Sequence, residues 1–295
     1  MSVFIETAIR QLCSNQDAVA ALTIDNEDDF EKTDGDEPIN VIAVFDGHGS
    51  DMTIDTIRSL DLKKHFTSLD PAESIQRAID VNNMRNFNAS KKEIYNSGST
   101  LSFAKIYRNL KTKKLKIKLE WLGDSPILVF INNELIYESQ LHNAYNENEI
   151  ERLKNKDVFV KIKDVSYGFE VLSEDRITSK DGKYILLKNK DLLAMSRTLG
   201  HNRITGVDTQ KHIIECNTVD DVKVIIFSDG VGDMLNMGLD LDKLKKYSAE
   251  EIVELAEKRW KQEWFCGVET NIKECFEENG YDDCCCAIWW QKNNI

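Results

Sequence analysis

Short apolar runs that stop at a carboxylate beside a glycine recur along this chain, and they constrain its fold more than any other feature. Val41–Phe45 (VIAVF) runs into Asp46-Gly47-His48-Gly49. Leu119–Leu122 (LEWL) runs into Gly123-Asp124-Ser125, and Val222–Phe227 (VKVIIF) into Ser228-Asp229-Gly230. Runs this short and this apolar read as buried strands. Asp17 and the pair Asp282-Asp283 stand beside the first and last strand-like segments. If these strands lie side by side, the carboxylates gather at one end of the sheet. Such a cluster repels itself unless cations sit among its members. Hard oxygen donors suit Mg²⁺ or Mn²⁺ better than zinc. A lone Asp-Gly is more simply a turn, and a lone histidine such as His48 more simply a hydrogen-bonded structural group. The repetition carries the argument.

The remaining elements can be placed around these runs. Val19–Ile24 reads as a strand, followed by the acidic loop DNEDDFEKTDGDEP. Ile54, Ile57 and Leu60 share helical spacing. Asp70-Pro71-Ala72-Glu73 predicts a helix start, with Asp as cap, Pro at the first position and Glu in the capping-box place. Ser99–Tyr107, Leu115–Leu122, Ile127–Ile131 and Leu135–Tyr137 are strand-like, the last two joined by a turn at Asn132-Asn133. Glu147–Lys154 reads as helix. Residues 155–191 are rich in Lys and Asp and weakly patterned, and are expected to be surface excursions with short strands. Ser248-Ala249-Glu250-Glu251 is a second capping box, opening a helix with Ile252, Leu255, Ala256 and Trp260 inward. Cys284–Trp290 closes the chain as a strand. Hairpin-like strand pairs with helices grouped before and after them predict an α+β fold. With 3 prolines in 295 residues and no linker composition, one domain over 1–295 is expected.

A formal net charge of −13 argues against nucleic acid as a partner. The 7 cysteines are odd in number and three are consecutive, Cys284 to Cys286, which fits reduced thiols rather than a disulfide framework. The segment MSVFIETAIRQLC has no basic region followed by an apolar run. An intracellular location, in the cytoplasm or the nucleus, is therefore expected. The apolar runs are too short to insert into a membrane.

The order of motifs resembles the metal-dependent protein phosphatases of type 2C, the PPM family. The resemblance rests on Asn15-Gln16-Asp17, Asp46-Gly47-His48-Gly49, Ser97-Gly98-Ser99-Thr100 and Leu122-Gly123-Asp124-Ser125. It continues through Leu193-Ala-Met-Ser-Arg-Thr-Leu-Gly200 and Phe227-Ser228-Asp229-Gly230 to Asp282-Asp283, from about residue 15 to 290. It implies two packed antiparallel β-sheets flanked by α-helices. It implies two Mg²⁺ or Mn²⁺ ions and a more weakly held third. Asp46 matches the Asp that bridges two ions, and Gly47 the glycine whose carbonyl is a ligand. Asp229 and Asp282 match the carboxylates that hold one ion of the pair, and Asp17 matches the Asp that supports the other. Asp124 and Asp233 match positions of the third ion. His48 matches the histidine proposed to protonate the leaving group. Residues 155–191 fall where the family carries a flap.

Several positions depart from the family pattern. Gln16 stands where many members carry Glu. Leu12 stands where the phosphate-binding Arg is usual, leaving Arg10, offset by two, as the candidate phosphate ligand. His201 stands where Asp is usual. Glu149 and Arg152 keep a Glu-x-x-Arg spacing after His142, and are expected to be structural. Either Asp282 or Asp283 could be the ligand, and Asp282 is preferred by its spacing to the final strand.

The resemblance implies a serine/threonine protein phosphatase that hydrolyses phosphoserine and phosphothreonine in phosphoprotein substrates by attack of a metal-bridging hydroxide. The alternative is a pseudophosphatase, the same fold kept as a binding or regulatory module. Retention of Asp46, Asp229 and Asp282 favours catalysis. A hydrolase of nucleotide phosphoesters is a weaker third reading, since no P-loop is present.

Overall fold

The computed structural model describes residues 2–24, 35–86, 90–188, 190 and 192–293. The greater part of the acidic loop expected after Ile24 lies outside them. Two antiparallel sheets pack face to face. In the first, the order is Ser2–Arg10, Cys284–Lys292, Val222–Phe227, Ile127–Ile131 and Glu134–Glu138. In the second, Asp36–Gly49 is central, with Asp17–Thr23 on one side and Leu101–Asn109, Lys114–Leu122 and Gln210–Asn217 in turn on the other. Its last residues, Gly47 to Gly49, pair with Ser97–Ser99, which in turn pairs with Leu199–Gly200.

The interior between the sheets is made by residues such as Ile42, Val44, Ile106, Val224, Ala287 and Trp289. Both faces of these central strands are covered, because helices close the outer sides. Met52–Ser59 and Pro71–Arg85 pack on the second sheet through Ile54, Ile57, Ile75 and Ile79. Ala249–Lys261 packs on the first through Ile252, Ala256 and Trp260. Burial on both faces is why VIAVF is an unbroken apolar run and why VKVIIF is interrupted only by Lys223, whose buried ammonium donates to the Leu244 carbonyl. Of the sandwich and flanking helices expected from sequence, this is the arrangement found.

The helix starts follow local chemistry. The Ser248 hydroxyl accepts from the Glu251 amide, and Glu251 accepts from the Ser248 amide, a complete capping box. Asp70 caps the Glu73 amide, but Glu73 does not reciprocate. Its carboxylate turns to Arg77 and Arg203 instead.

Two expectations need correction. The strand containing VIAVF does not end at Phe45; it continues through Gly49. Residues 155–191 do not form short excursions. Phe159–Ser173 and Arg176–Leu187 make one long antiparallel hairpin, the heart of a third sheet that also holds Leu192–Leu193, Trp264–Cys266 and Lys273–Glu274. Few of its side chains are fully buried, so its sequence has no strong apolar period. No helix among the described residues is long and apolar enough to cross a membrane.

Candidate active site

The strand ends bring the carboxylates together. Asp17 lies directly opposite Asp46 in the second sheet. In the first sheet Val222–Phe227 lies beside Cys284–Lys292, so Asp229 and Asp282 leave neighbouring strand ends. The two sets meet where the Asp229 amide donates to Asp46 Oδ2 at 3.1 Å. Gly230 is pressed against the Asp282-Asp283 backbone so closely that a Cβ would stand 2.1 Å from the Asp283 carbonyl oxygen.

Neighbours fix Asp46 from both sides. Its amide donates to the Thr100 hydroxyl at 3.1 Å, and its carbonyl accepts from the Thr100 amide at 2.8 Å. The Thr100 and Ser125 hydroxyls lie 2.7 Å apart, tying this strand to the turn that carries Asp124. At Gly47 a Cβ would meet the Gln16 carbonyl oxygen at 2.5 Å. The glycine is thus required by backbone packing, whatever else its carbonyl does.

The electrostatics are those of crowded anions. Burial, with the charge of Asp229 next, pushes Asp46 well above the usual carboxylate range. Burial pushes Asp17 well up too, against opposing hydrogen bonds from Ser228 and Cys285. Burial and then Asp229 raise Asp124 well above normal and Asp282 to about 9. The same two causes lift Asp233 to about 7, opposed by the Lys180 ammonium. Asp17 Oδ2 and Asp124 Oδ1 are buried without a hydrogen-bond partner.

Among the described residues, no group of three or more acidic, imidazole or thiol side chains stands ready to hold a metal ion. The donor chemistry nonetheless suits one. The cluster is all carboxylate, it includes two orphaned buried oxygens, and its self-repulsion is what a divalent cation would relieve.

Asp283 differs from Asp282. Its Oδ1 accepts from the Cys13 amide at 2.9 Å, and its Oδ2 from the Ser14 hydroxyl at 2.8 Å and the Gln16 amide at 2.7 Å. Both oxygens are therefore spent on the loop that leads to Asp17. Arg58 braces the same loop, donating to the Asn15 and Asp17 carbonyls at 2.9 and 2.7 Å. The Gln16 side chain donates to the Gly49 carbonyl at 2.9 Å and to Asp51 at 2.6 Å. An ionised Glu could make neither bond and would repel Asp51, which accounts for the amide here.

Arg10 is not brought to this cluster. Its guanidinium is bound to Glu250 and, at 3.2 Å, to Glu257, both on the helix Ala249–Lys261. Two carboxylates one helical face apart hold it there. The guanidinium expected to bind phosphate is thus engaged by this helix.

A cleft of about 430 Å³ opens beside the cluster. Asp124, Asp229 and Asp233 line it, while Asp17, Asp46 and Asp282 do not. Its far wall is the long hairpin, at the irregularity between Lys180 and Gly182. Lys180 and Lys183 stand there over the Tyr145 ring, at 5.7 and 5.3 Å from its centroid. Sequence reading missed these lysines, because nothing in a Lys-rich segment says which two face a cleft.

His48 and His201 form a close pair, and His142 is buried behind the Asp124 turn, where its Nδ1 accepts from the Gly123 amide at 3.2 Å. Burial, with His201 beside it, lowers His48 to about 3.

Glu149 and Arg152 are structural, and their network extends further than the spacing suggested. The Glu149 carboxylate accepts from Arg152, Arg197 and the Ser196 hydroxyl, while Arg152 also holds the Ser196 and Thr205 carbonyls. Burial would push Glu149 up, but the hydrogen bonds of Arg197 and Ser196 with the Arg152 charge outweigh it, bringing it down to about 2. A depressed carboxylate stabilises the fold above its unfolded value near 4.5 and loses that contribution as pH falls toward 2. Glu149→Gln leaves two arginines without their counter-ion. It is expected to cost roughly 3 kcal/mol in urea unfolding at pH 7 and to flatten the loss of stability between about pH 4.5 and 2.

The model of the family described as protein phosphatase 2C matches residues 13–239. A curated relative, protein phosphatase fem-2 of Caenorhabditis elegans, is 31% identical over 130 residues, which are 41% of this chain and 27% of that protein. The match thus spans about a quarter of that relative's length. The solved serine/threonine phosphatase PstP/Ppp of Mycobacterium tuberculosis superposes with a TM-score of 0.54 at 13% identity, over 99% of each chain. A serine/threonine phosphatase of Staphylococcus aureus gives 0.53 at 12%, over 99% of this chain and 96% of its own. At such identities these two structures speak for the fold alone. With the family match running from the loop before Asp17 past Asp233, over most of the sandwich, the chain belongs to the protein phosphatase 2C family.

Proposed function

We propose that this chain is a metal-dependent serine/threonine protein phosphatase, a hydrolase of phosphoserine and phosphothreonine in phosphoproteins. The observation that carries the reading is the buried carboxylate cluster, which joins Asp17, Asp46, Asp229 and Asp282 across the ends of two sheets. Asp46, with the Gly47 carbonyl, Asp229 and Asp282 would hold two Mg²⁺ or Mn²⁺ ions. Asp17 would support them, and Asp124 and Asp233 would hold a third more weakly. Bound ions would supply neutralisation of the phosphate charge and acidification of water at neutral pH.

The protein's own groups then have separate tasks. Asp283, Arg58 and Gln16 hold the loop that presents Asp17. Thr100 holds Asp46 in register. His48 is the proton donor to the leaving alkoxide. It is neutral as it stands, and a phosphate dianion beside it would favour its protonated form. Since Arg10 is engaged elsewhere, the substrate phosphate depends on the cations for its anchoring.

The hairpin acts as a flap that influences substrate choice. Lys180 and Lys183 place positive charge on the cleft wall of an acidic protein, where a substrate with acidic residues beside its phosphate would lie favourably. Charge reversal at both is expected to lower the kcat/KM ratio of acidic over basic phosphopeptides by roughly tenfold. An unchanged ratio would remove the hairpin from substrate choice. The seven cysteines are all unpaired thiols, which supports an intracellular place.

The function is tested by phosphate release from an aryl phosphate and a phosphothreonine peptide, with Mn²⁺, with Mg²⁺ and with chelator. Turnover that needs the metal supports the enzyme. A folded protein that binds Mn²⁺ and turns over neither substrate would instead be the pseudophosphatase.

A further inference from the structure

His48 and His201 are far apart in sequence, yet their rings stack with centroids 4.9 Å apart and their Nε2 atoms 2.7 Å apart. Two bare nitrogens or two N–H groups would repel at that distance, so a single proton lies between them. On its other side, His201 Nδ1 sits 2.5 Å from the Tyr95 carbonyl oxygen. A carbonyl only accepts, so His201 Nδ1 carries a proton. A neutral imidazole has one N–H, which leaves His201 Nε2 bare. The shared proton therefore belongs to His48 Nε2. In the neutral pair His48 Nδ1 is then bare, and no well-aligned hydrogen bond holds a proton there.

The surroundings are shaped to this pair. Gly98 lies opposite His48 in the sheet, and a Cβ there would stand 2.3 Å from Nε2 of both rings. His201, Asn202 and Arg203 are all left-handed, with φ of 43°, 49° and 61°, a turn that side chains rarely adopt. It is held by Arg203 against Glu73 and Asp80, by Asn202 on the Tyr95 hydroxyl, and by the Gly200 amide on Gln76. That much restraint on a strained turn holds the His201 ring against His48.

We propose that His201 is a positioning residue. It accepts the Nε2 proton of His48, which fixes that ring and its tautomer. The kinetic arm of this proposal rests on the phosphatase reading; the tautomer arm does not.

The test is the imidazole ¹⁵N–¹H long-range spectrum of metal-free, ¹⁵N-histidine-labelled protein, beside His201→Phe and His201→Gln. The wild type is expected to show His48 as the Nε2–H tautomer and His201 as the Nδ1–H tautomer. His201→Phe should release His48 to a mixture and lower kcat on a phosphothreonine peptide by roughly tenfold with little change in KM. His201→Gln, whose Oε1 can accept the same proton, should restore the Nε2–H tautomer and most of kcat. His48 found as Nδ1–H in the wild type would overturn the proposal. So would an unchanged His48 signal in His201→Phe. Should the Phe variant not fold, the wild-type and Gln spectra still decide. Should no variant turn over phosphoester, the phosphatase reading fails and the spectra still decide the pairing.

Discussion

Asp46→Ala and Asp229→Ala are each expected to abolish metal-dependent phosphate release while the protein stays folded. Asp46 takes part in both halves of the cluster, through its place opposite Asp17 and its bond from the Asp229 amide. Under the proposed two-ion arrangement, losing either carboxylate would remove a ligand on which the charge neutralisation depends. Metal assistance supplies several kcal/mol of transition-state stabilisation, or about 10³-fold and more at 1.36 kcal/mol per decade. The fold should not suffer, because both changes relieve repulsion among buried anions. Melting in chelator should therefore show no loss of stability for either variant. Phosphate release that survives in both, at wild-type Mn²⁺ dependence, would refute the two-ion assignment.

His48→Ala is expected to be the second largest effect, and it should depend on the leaving group. Proton donation by a placed side chain contributes roughly 10²–10⁴-fold where the leaving alkoxide is poor. A phosphothreonine peptide should feel that loss. An activated aryl phosphate, whose phenolate leaves without help, should lose less than about tenfold. Kinetics across a series of phosphoesters of graded leaving-group pKa would show the slope steepen in the variant. Parallel losses across the series would deny His48 the acid role.

Much of the architecture could be read from particular segments. VIAVF is apolar throughout and VKVIIF apart from Lys223 because both their faces are covered, and Ser248-Ala-Glu-Glu is a helix start with both bonds of its box made. The carboxylate cluster was legible because strand ends repeat it. What escaped reading depends on partners far away in the chain. Ser2–Arg10 is an edge strand with only Ala8 buried, so it shows no period. The long hairpin buries little on either face. Arg10 could be placed only by knowing that Glu250 and Glu257 arrive from a helix near the other end. The three donors that the loop at 13–16 brings to Asp283 come from the other end of the chain. The partnership of His48 with His201 has no periodic signature at all.

The strand Cys284–Lys292 sits in the interior of its sheet, between Ser2–Arg10 and Val222–Phe227. Without it, Ser2–Arg10 would have no strand partner among the described residues, and the loop at 13–16 would lack the Asp283 carboxylate that gathers it. Displacing this one strand would therefore split the sheet and loosen the loop that presents Asp17 in a single event, so the sheet and the carboxylate cluster stand or fall together.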